Sequence, residues 1–70
     1  MKMTPVSSSN LASVGYDSAT RTLHVEFRSG AVYEYYDVPE AEYQGLIDAS
    51  SKGSYFHQNI KDRYGYRKIG

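Results

Sequence analysis

The stretch TLHVEFRSGAVYEYYDVP, residues 22–39, decides the fold of this chain. Its first six residues, TLHVEF, alternate between apolar and polar side chains after the initial threonine, and this period of two is typical of a half-buried β-strand. The short segment RSG follows, and a second run of strand-favouring residues extends from Ala31 to about Val38. Two strands joined by so short a connection form an antiparallel hairpin.

Two registers of this hairpin are open, and they place the pair Tyr33-x-Tyr35 on opposite faces of the sheet. If RSG is a three-residue loop with Gly30 in the left-handed conformation, Tyr33 pairs with Val25 and both tyrosines face the core. If the loop has two residues, both tyrosines join the polar face instead. We favour the three-residue loop, because glycine suits its last position and because the alternative would turn the Glu34 carboxylate toward the core.

A further strand is predicted before the hairpin, and two helices are predicted after it. LASVGYD, residues 11–17, indicates a strand that is interrupted at Gly15, where we expect a bulge. An amphipathic helix is predicted over about residues 39–50, because proline suits its first turn and apolar residues recur at intervals of three and four. A second helix, capped by Ser54 and ending near Gly65, carries another apolar stripe.

These elements predict an α+β domain in which a three-stranded antiparallel meander is followed by two helices packed on one face, in the order β-β-β-α-α. Seventy residues suffice for one domain, which we expect to span residues 1–70 with flexible ends at about residues 1–5 and 67–70. The predicted core combines residues of the hairpin and of both helices: Leu23, Val25, Phe27, Tyr33, Tyr35, Leu46, Ile47, Phe56 and Ile60.

The composition restricts the class of protein. The chain contains no cysteine, which excludes disulfides and thiolate metal ligands. The N-terminal stretch MKMTPVSSSN lacks the apolar segment of a signal peptide, and no apolar run is long enough to cross a membrane. We therefore expect a cytoplasmic protein without a membrane partner.

The charges are balanced in number but not in distribution, with eight basic and eight acidic residues in all. Residues 1–51 carry three basic and seven acidic side chains, whereas residues 52–70 carry five basic side chains and Asp62 as their one acid. Such asymmetry is typical of a chain with a charged partner, and attraction between the two halves within the fold explains it equally well.

The order of the motifs resembles that of a known family. The succession VSSSNLASVGYD, TLHVEF, G-x-VYEYYDVP, Y-x-x-L, SKGSYF and I-x-x-x-Y is similar to the KTSC domain, which occurs at the C-terminus of some lysyl-tRNA synthetases and as a small stand-alone bacterial protein. The resemblance extends from about Val6 to Tyr66, and Tyr33-x-Tyr35 is the hallmark of the family. His57 departs from the family pattern, which has asparagine after Tyr-Phe. Attachment to a synthetase implies a role in RNA binding.

The residue types and their spacing indicate no catalytic, metal or cofactor site. His24 and His57 lie at none of the usual metal-ligand spacings. The serine-rich segments lack a nucleophile-elbow context, and SSKGSY lacks the strand and the glycine spacing of a nucleotide-binding loop. Lys52 and the N–H groups from Ser54 onward suit a phosphate at a helix N-terminus, but an ordinary helix cap has the same pattern. We therefore predict a protein that is not an enzyme and needs no cofactor or metal.

The first of two predicted functions is RNA binding by the C-terminal stretch. IKDRYGYRK, residues 60–68, interleaves cations with tyrosines, and single-stranded nucleic acids are commonly held by cations and stacked on aromatic rings. Tyr64 falls on the apolar stripe of the second helix, whereas Tyr66 is available for stacking. The predicted RNA-binding residues are Lys52, Lys61, Arg63, Tyr66, Arg67 and Lys68.

The alternative function is interaction with another protein through the sheet. A small sheet covered by helices on one face leaves its other face wet, and an exposed edge accepts a partner strand. The residues expected on the outer face are His24, Glu26, Glu34 and Tyr36. Tyr33 and Tyr35, on the covered face, are interpreted as structural.

Overall fold

Five strands and two helices make up the computed structural model, which describes residues 3–70. The elements are β1 (Thr4–Pro5), β2 (Leu11–Asp17), β3 (Thr22–Phe27), β4 (Val32–Tyr35), α1 (Glu40–Asp48), α2 (Lys52–Asn59) and β5 (Tyr66–Lys68). One antiparallel sheet contains all five strands in the order β1-β2-β3-β4-β5. The predicted α+β class with two helices is confirmed, whereas the predicted three-stranded meander is only the centre of a five-stranded sheet.

The hairpin of β3 and β4 has the three-residue-loop register. Leu23 pairs with Tyr35, and Val25 pairs with Tyr33. Gly30 ends the loop at a φ of 96°, in the left-handed region that favours glycine. Because directly opposed residues of an antiparallel pair share a face, both tyrosines lie on the face that packs against the core, as predicted.

Strand β5 pairs with β4 and forms one edge of the sheet. Residues 66–68 lie opposite residues 33–35 in an antiparallel register. The backbone N–H groups of residues 69 and 70 then donate to the Val32 carbonyl oxygen at 2.8 and 3.2 Å. Residues 67–70, which we expected to be a flexible end, are thus paired with the sheet.

Strand β1 forms the opposite edge of the sheet. Thr4 lies opposite Val14, and Pro5 lies opposite Ser13. Part of the segment 1–5, which we also expected to be a flexible end, therefore pairs with β2, while residues 1 and 2 lie outside the described residues.

The irregularity of β2 lies near Ala12. The register of β2 on β3 shifts between Leu11 and Ser13, whereas Gly15 is regularly paired, so the predicted bulge at Gly15 is wrong. The shift has a consequence for packing, because Leu11 and Val14 are three residues apart and would face opposite sides of a regular strand. With the bulge between them, both side chains are fully buried.

Both helices have different limits from those predicted. Pro39 has an extended ψ of 148°, so it is the N-cap of α1 and not part of its first turn. The N-cap of α2 is Ser51 and not Ser54, since the Ser51 hydroxyl accepts from Ser54 N at 3.4 Å. This cap starts α2 at Lys52. The helix ends at Asn59, well before the predicted limit, and a turn leads from it toward β5.

The core lies between the covered face of the sheet and the two helices. Its buried apolar members are Leu11, Val14, Leu23, Val25, Tyr35, Val38, Leu46, Phe56 and Ile60. Six of the nine predicted core residues are among them. The other three, Phe27, Tyr33 and Ile47, are half-buried and pack against this core. The incomplete cover of Phe27 and Tyr33 matters for the candidate site, because it leaves two aromatic rings accessible.

Glu42 of α1 forms hydrogen bonds with α2 and with the turn that follows α2. Its two carboxylate oxygens accept from the hydroxyls of Tyr55 and Tyr64, the latter at 3.0 Å. The hydrogen bond to Glu42 is the main cause that raises the pKa of Tyr55 to about 12. Tyr64, predicted to follow the core stripe of α2, is half-buried and uses its hydroxyl for this link.

The contact between the helices leaves little room for a side chain at position 45. A Cβ atom at Gly45 would overlap the Tyr55 hydroxyl and lie 2.8 Å from Tyr55 Cζ, whereas a Cβ atom at Gly53 would meet nothing closer than 3.5 Å. Both positions lie within helices and gain similarly from alanine. We therefore expect Gly45→Ala to be less stable than Gly53→Ala by about 1 to 3 kcal/mol, because Tyr55 must shift away from Glu42. Urea denaturation measures the difference, and equal stability of the two variants contradicts it.

Candidate functional site

An aromatic cluster lies on the covered face of the sheet beside β5. Its members are Phe27, Tyr33, Tyr35, Phe56 and Tyr66. The ring centroid of Tyr66 lies 5.8 Å from that of Tyr33 and 5.5 Å from that of Tyr35. Phe56 of α2 meets Tyr35 edge to face at 5.4 Å. The cluster exists because β5 pairs with β4, which places Tyr66 opposite Tyr35.

Exposure increases across this aromatic cluster from the helix toward the sheet edge. Tyr35 and Phe56 are 3% and 6% exposed, and Tyr33 is half-buried. Tyr66 is 58% exposed, although two rings support it from within the fold. The Tyr66 ring packs against the half-buried Tyr33 and the buried Tyr35, so it is accessible and is also held in place by two neighbouring rings.

The aromatic cluster forms the floor of an open cleft of about 530 Å³ between the sheet and α2. This volume lies within the range of about 300 to 1,000 Å³ that is usual for ligand sites. The rim of the cleft is polar and includes Asn10, Arg28, Ser29, His57, Lys61 and Asp62. The cleft therefore combines flat apolar rings with charges of both signs and with amide and hydroxyl groups.

Arg28 connects two loops at one end of the cleft. Its Nε donates to the Ser8 carbonyl oxygen at 2.6 Å, and its backbone N–H donates to Asn10 O at 2.9 Å. The Ser8 hydroxyl accepts from the backbone N–H groups of Asn10 and Leu11, at 3.3 Å each. These hydrogen bonds hold the rim residues Asn10 and Arg28 in place. Neither residue was among the predicted site residues, because both belong to segments remote in sequence from the C-terminal stretch.

The turn after α2 contributes Lys61 and Asp62 to the rim of the cleft. The Lys61 backbone N–H donates to Phe56 O at 2.9 Å, one residue beyond the helical spacing, and Arg63 N donates to Ile60 O at 3.1 Å. Both rim side chains are exposed. Within residues 3–70, neither Lys61 nor Asp62 forms an ion pair.

The hydroxyl of Tyr35 is a hydrogen-bond donor on the floor of the cleft. Burial raises the pKa of Tyr35 to about 12, with smaller contributions from the nearby Tyr33, Tyr66 and Asp62. The phenol therefore keeps its proton at neutral pH. In the described part of the chain, the hydroxyls of Tyr33 and Tyr35 make no hydrogen bond, so both are available to a ligand.

Three of the six predicted RNA-binding residues belong to the cleft side of the molecule. Lys61 and Tyr66 line the cleft. Lys68 lies opposite Tyr33 and two residues after Tyr66, so it shares their face of the sheet. This group contains the exposed ring of Tyr66 and two of the predicted cations.

The other three predicted RNA-binding residues lie elsewhere. Arg67 is on the opposite face, where its Nη2 is 3.8 Å from Glu34 Oε1. Lys52 Nζ donates to Ala49 O at 3.0 Å and so binds the end of α1. Arg63 is exposed in the turn after α2 and does not line the cleft. The six residues therefore do not form one continuous surface.

The residues predicted on the outer face of the sheet form hydrogen-bonded groups there. His24 lies opposite Glu34, with Nε2 at 3.1 Å from Oε2, and the Tyr36 hydroxyl donates to Glu34 Oε1 at 2.8 Å. The Ser13 hydroxyl donates to Glu26 Oε1 at 2.7 Å. The hydrogen bond from Tyr36, and a lesser one with His24, hold the pKa of Glu34 below its ordinary value. Much of the polarity of this face is satisfied within the sheet.

Two further features concern metals and membranes. Within residues 3–70, no three histidine, aspartate or glutamate side chains come together in a way that suits a metal ion. Neither helix of this range has the length and apolar character needed to cross a bilayer.

The sequence is similar to proteins of several bacteria. A lysine–tRNA ligase of Trichormus variabilis is 48% identical over 54 residues, which cover 77% of this chain and 10% of the ligase. This chain thus spans about a tenth of the length of that relative, as it does for a ligase of Nostoc punctiforme, which is 41% identical and covered to 10%. An uncharacterized protein of Stutzerimonas stutzeri is 44% identical over 70 residues, which cover 99% of each chain.

A solved structure shares the whole fold. The crystal structure of a KTSC domain protein from Yersinia pestis superposes with a TM-score of 0.96 at 43% identity, covering 99% of this chain and 97% of that one. The family model of the KTSC domain matches residues 7–64, a range that includes Tyr33-x-Tyr35 and both helices. The resemblance seen in the order of the motifs is confirmed by these matches, and the chain belongs to the KTSC domain family.

Proposed function

We propose that this domain is a non-catalytic, cytoplasmic RNA-binding module that holds an unpaired base of a single strand in its cleft. The observation that carries the proposal is the position of Tyr66, whose exposed ring rests on Tyr33 and Tyr35 at one side of the cleft. Single-stranded nucleic acids are bound by stacking bases on such rings, which accept every base because each base has a flat face.

The charges around Tyr66 support an RNA ligand. Lys61 lies on the rim, Lys68 lies on the same strand and the same face, and Arg28 stands at another part of the rim. Cations on more than one side of a stacking surface suit a backbone that runs past it. Sequences similar to this chain occur within lysine–tRNA ligases, which is consistent with an RNA partner.

Charge reversal at the rim tests this placement. Lys61→Glu is expected to weaken the binding of all single-stranded sequences alike and to make the salt slope shallower by about 0.7, because one phosphate contact is lost. Arg67→Glu is the matched control, since Arg67 lies beside Glu34 on the opposite face. Fluorescence anisotropy with labelled RNA measures both variants. Equal losses of affinity in the two variants contradict binding in the cleft.

The outer face supports a second candidate function, interaction with another protein. Neither helix lies on this face, and its edge strands β1 and β5 each have one unpaired side within residues 3–70. We expect Tyr36→Ala and Glu34→Lys to abolish a protein contact made there while the domain stays folded, because both side chains belong to the hydrogen-bonded group on the outer face and lie outside the core. Pull-down with the variants measures this. A full set of wild-type partners on both variants rules the contact out.

A further inference from the structure

Asp62 is an anion in a cleft that otherwise offers rings, cations and neutral polar groups. It is the one acidic residue in residues 52–70, it lines the cleft, and it forms no ion pair within the described range. Asp62 and Tyr35 both line this cleft, and the negative charge of Asp62 is a minor cause of the raised pKa of Tyr35. A carboxylate at this position repels a phosphate backbone, but it can accept hydrogen bonds from the donors of a base.

The bases of RNA differ in what they offer to a carboxylate. Ionised aspartate has only acceptor atoms, and its two oxygens match two parallel donors. On the Watson–Crick edge, guanine presents two neighbouring donors, N1–H and the N2 amino group. Adenine and cytosine each present one amino donor beside a ring acceptor, and the N3–H of uracil lies between two carbonyl oxygens. Guanine alone therefore gives a carboxylate two hydrogen bonds without an opposing acceptor.

We propose that Asp62 reads the base in the cleft and that the cleft prefers guanine, an inference that rests on the proposed RNA-binding function. The guanine ring stacks on Tyr66, and its N1–H and N2 amino group donate to the Asp62 carboxylate. The remaining group of that edge is the O6 acceptor. The cleft has donors for it in the Tyr33 and Tyr35 hydroxyls and in the Lys61 ammonium group.

The test compares short RNA oligomers that differ only at the central position. The labelled oligomers are UUGUU, UUIUU with inosine, UUAUU, UUCUU and UUUUU, titrated at low salt by fluorescence anisotropy. Wild-type protein is expected to bind UUGUU about tenfold more tightly than UUUUU. Inosine lacks the N2 amino group and should give an intermediate affinity.

Variants at two acidic positions separate base reading from simple charge. Asp62→Asn should remove most of the preference for guanine while binding UUUUU at least as well as wild type, because a charge that repels phosphate is gone. Asp48→Asn, at an exposed acid of α1 outside the cleft, should leave the preference unchanged.

The possible outcomes are distinct. Equal binding of all oligomers by wild type overturns the guanine preference and leaves RNA binding in place. Failure of wild type to bind any oligomer at low salt overturns the RNA-binding function together with this inference. If Asp62→Asn binds every oligomer more tightly by the same factor and keeps the preference, Asp62 is only a surface charge and the inference is wrong.

Discussion

Truncation of Phe56 to alanine is expected to lower the free energy of unfolding by about 3 to 5 kcal/mol. The ring is 6% exposed and meets Phe27 and Tyr35 edge to face at 5.5 and 5.4 Å, so its removal leaves a cavity between α2 and the sheet. A domain of this size has a total stability of about 4 to 10 kcal/mol. The substitution therefore removes a large part of what keeps the chain folded.

Urea denaturation followed by circular dichroism measures this loss. Ile69→Ala is the matched control, since that side chain is among the exposed apolar ones and its loss should change stability by less than about 0.5 kcal/mol. If Phe56→Ala does not fold at all, Phe56→Leu keeps most of the apolar volume and should give a folded protein of intermediate stability. An unchanged denaturation midpoint in Phe56→Ala is incompatible with a buried Phe56 ring between α2 and the sheet.

Replacement of Tyr66 by alanine is expected to weaken RNA binding by about 1 to 3 kcal/mol, which is about 5- to 150-fold in the dissociation constant. The reason is the loss of the exposed ring on which a base stacks. Folding should be nearly unaffected, because this side chain is 58% exposed and its strand is held by backbone pairing with β4. Anisotropy titration measures the affinity, and thermal unfolding checks the fold.

The conservative variant Tyr66→Phe identifies which part of the side chain acts. It keeps the ring and loses the hydroxyl, so it should bind RNA nearly as well as wild type if stacking is the interaction. A loss as large as that of Tyr66→Ala would mean that the hydroxyl and not the ring makes the contact. Wild-type affinity in Tyr66→Ala itself would remove Tyr66 from the site.

The central hairpin could be predicted because several local signals agree there. TLHVEF alternates apolar and polar residues, and Gly30 stands where a three-residue loop needs a left-handed residue. These two signals decide the register and hence the side of the sheet on which Tyr33 and Tyr35 lie. The end of β4 was harder to predict, because the run of strand-favouring residues continues to Val38. Asp37, at a φ of 57°, ends the extended conformation before that point.

The edge strands could not be predicted from local pattern. β5 has three residues, two of them charged, and β1 has two residues, one of them Pro5. Charges and proline argue against a central strand but are common at the edges of sheets, where one side of the backbone faces solvent. β5 depends on pairing with residues distant in sequence, such as Tyr66 with Tyr35, and β1 depends on pairing with the neighbouring strand β2. Such pairing leaves no periodicity in the strand itself.

The sequence pattern indicated Lys61 and Tyr66 of the candidate site. It did not predict strand β5, and this strand decides which neighbouring side chains share a face. Once residues 66–68 are a strand, Arg67 must face the opposite side from Tyr66 and Lys68. If residues 66–68 are taken as an irregular basic tail, nothing separates Arg67 from Tyr66 and Lys68. The same pairing brings Tyr66 against the Tyr33-x-Tyr35 motif, which local pattern had indicated to be structural alone.

The central claim is that the cleft binds single-stranded RNA, and titration of the wild-type domain at two salt concentrations tests it most directly. Labelled single-stranded RNA should bind at low salt. If Arg28, Lys61 and Lys68 each neutralise one phosphate, the logarithm of the binding constant should fall with the logarithm of the salt concentration at a slope of about −2. No binding at low salt, or an affinity that does not change with salt, would contradict the claim.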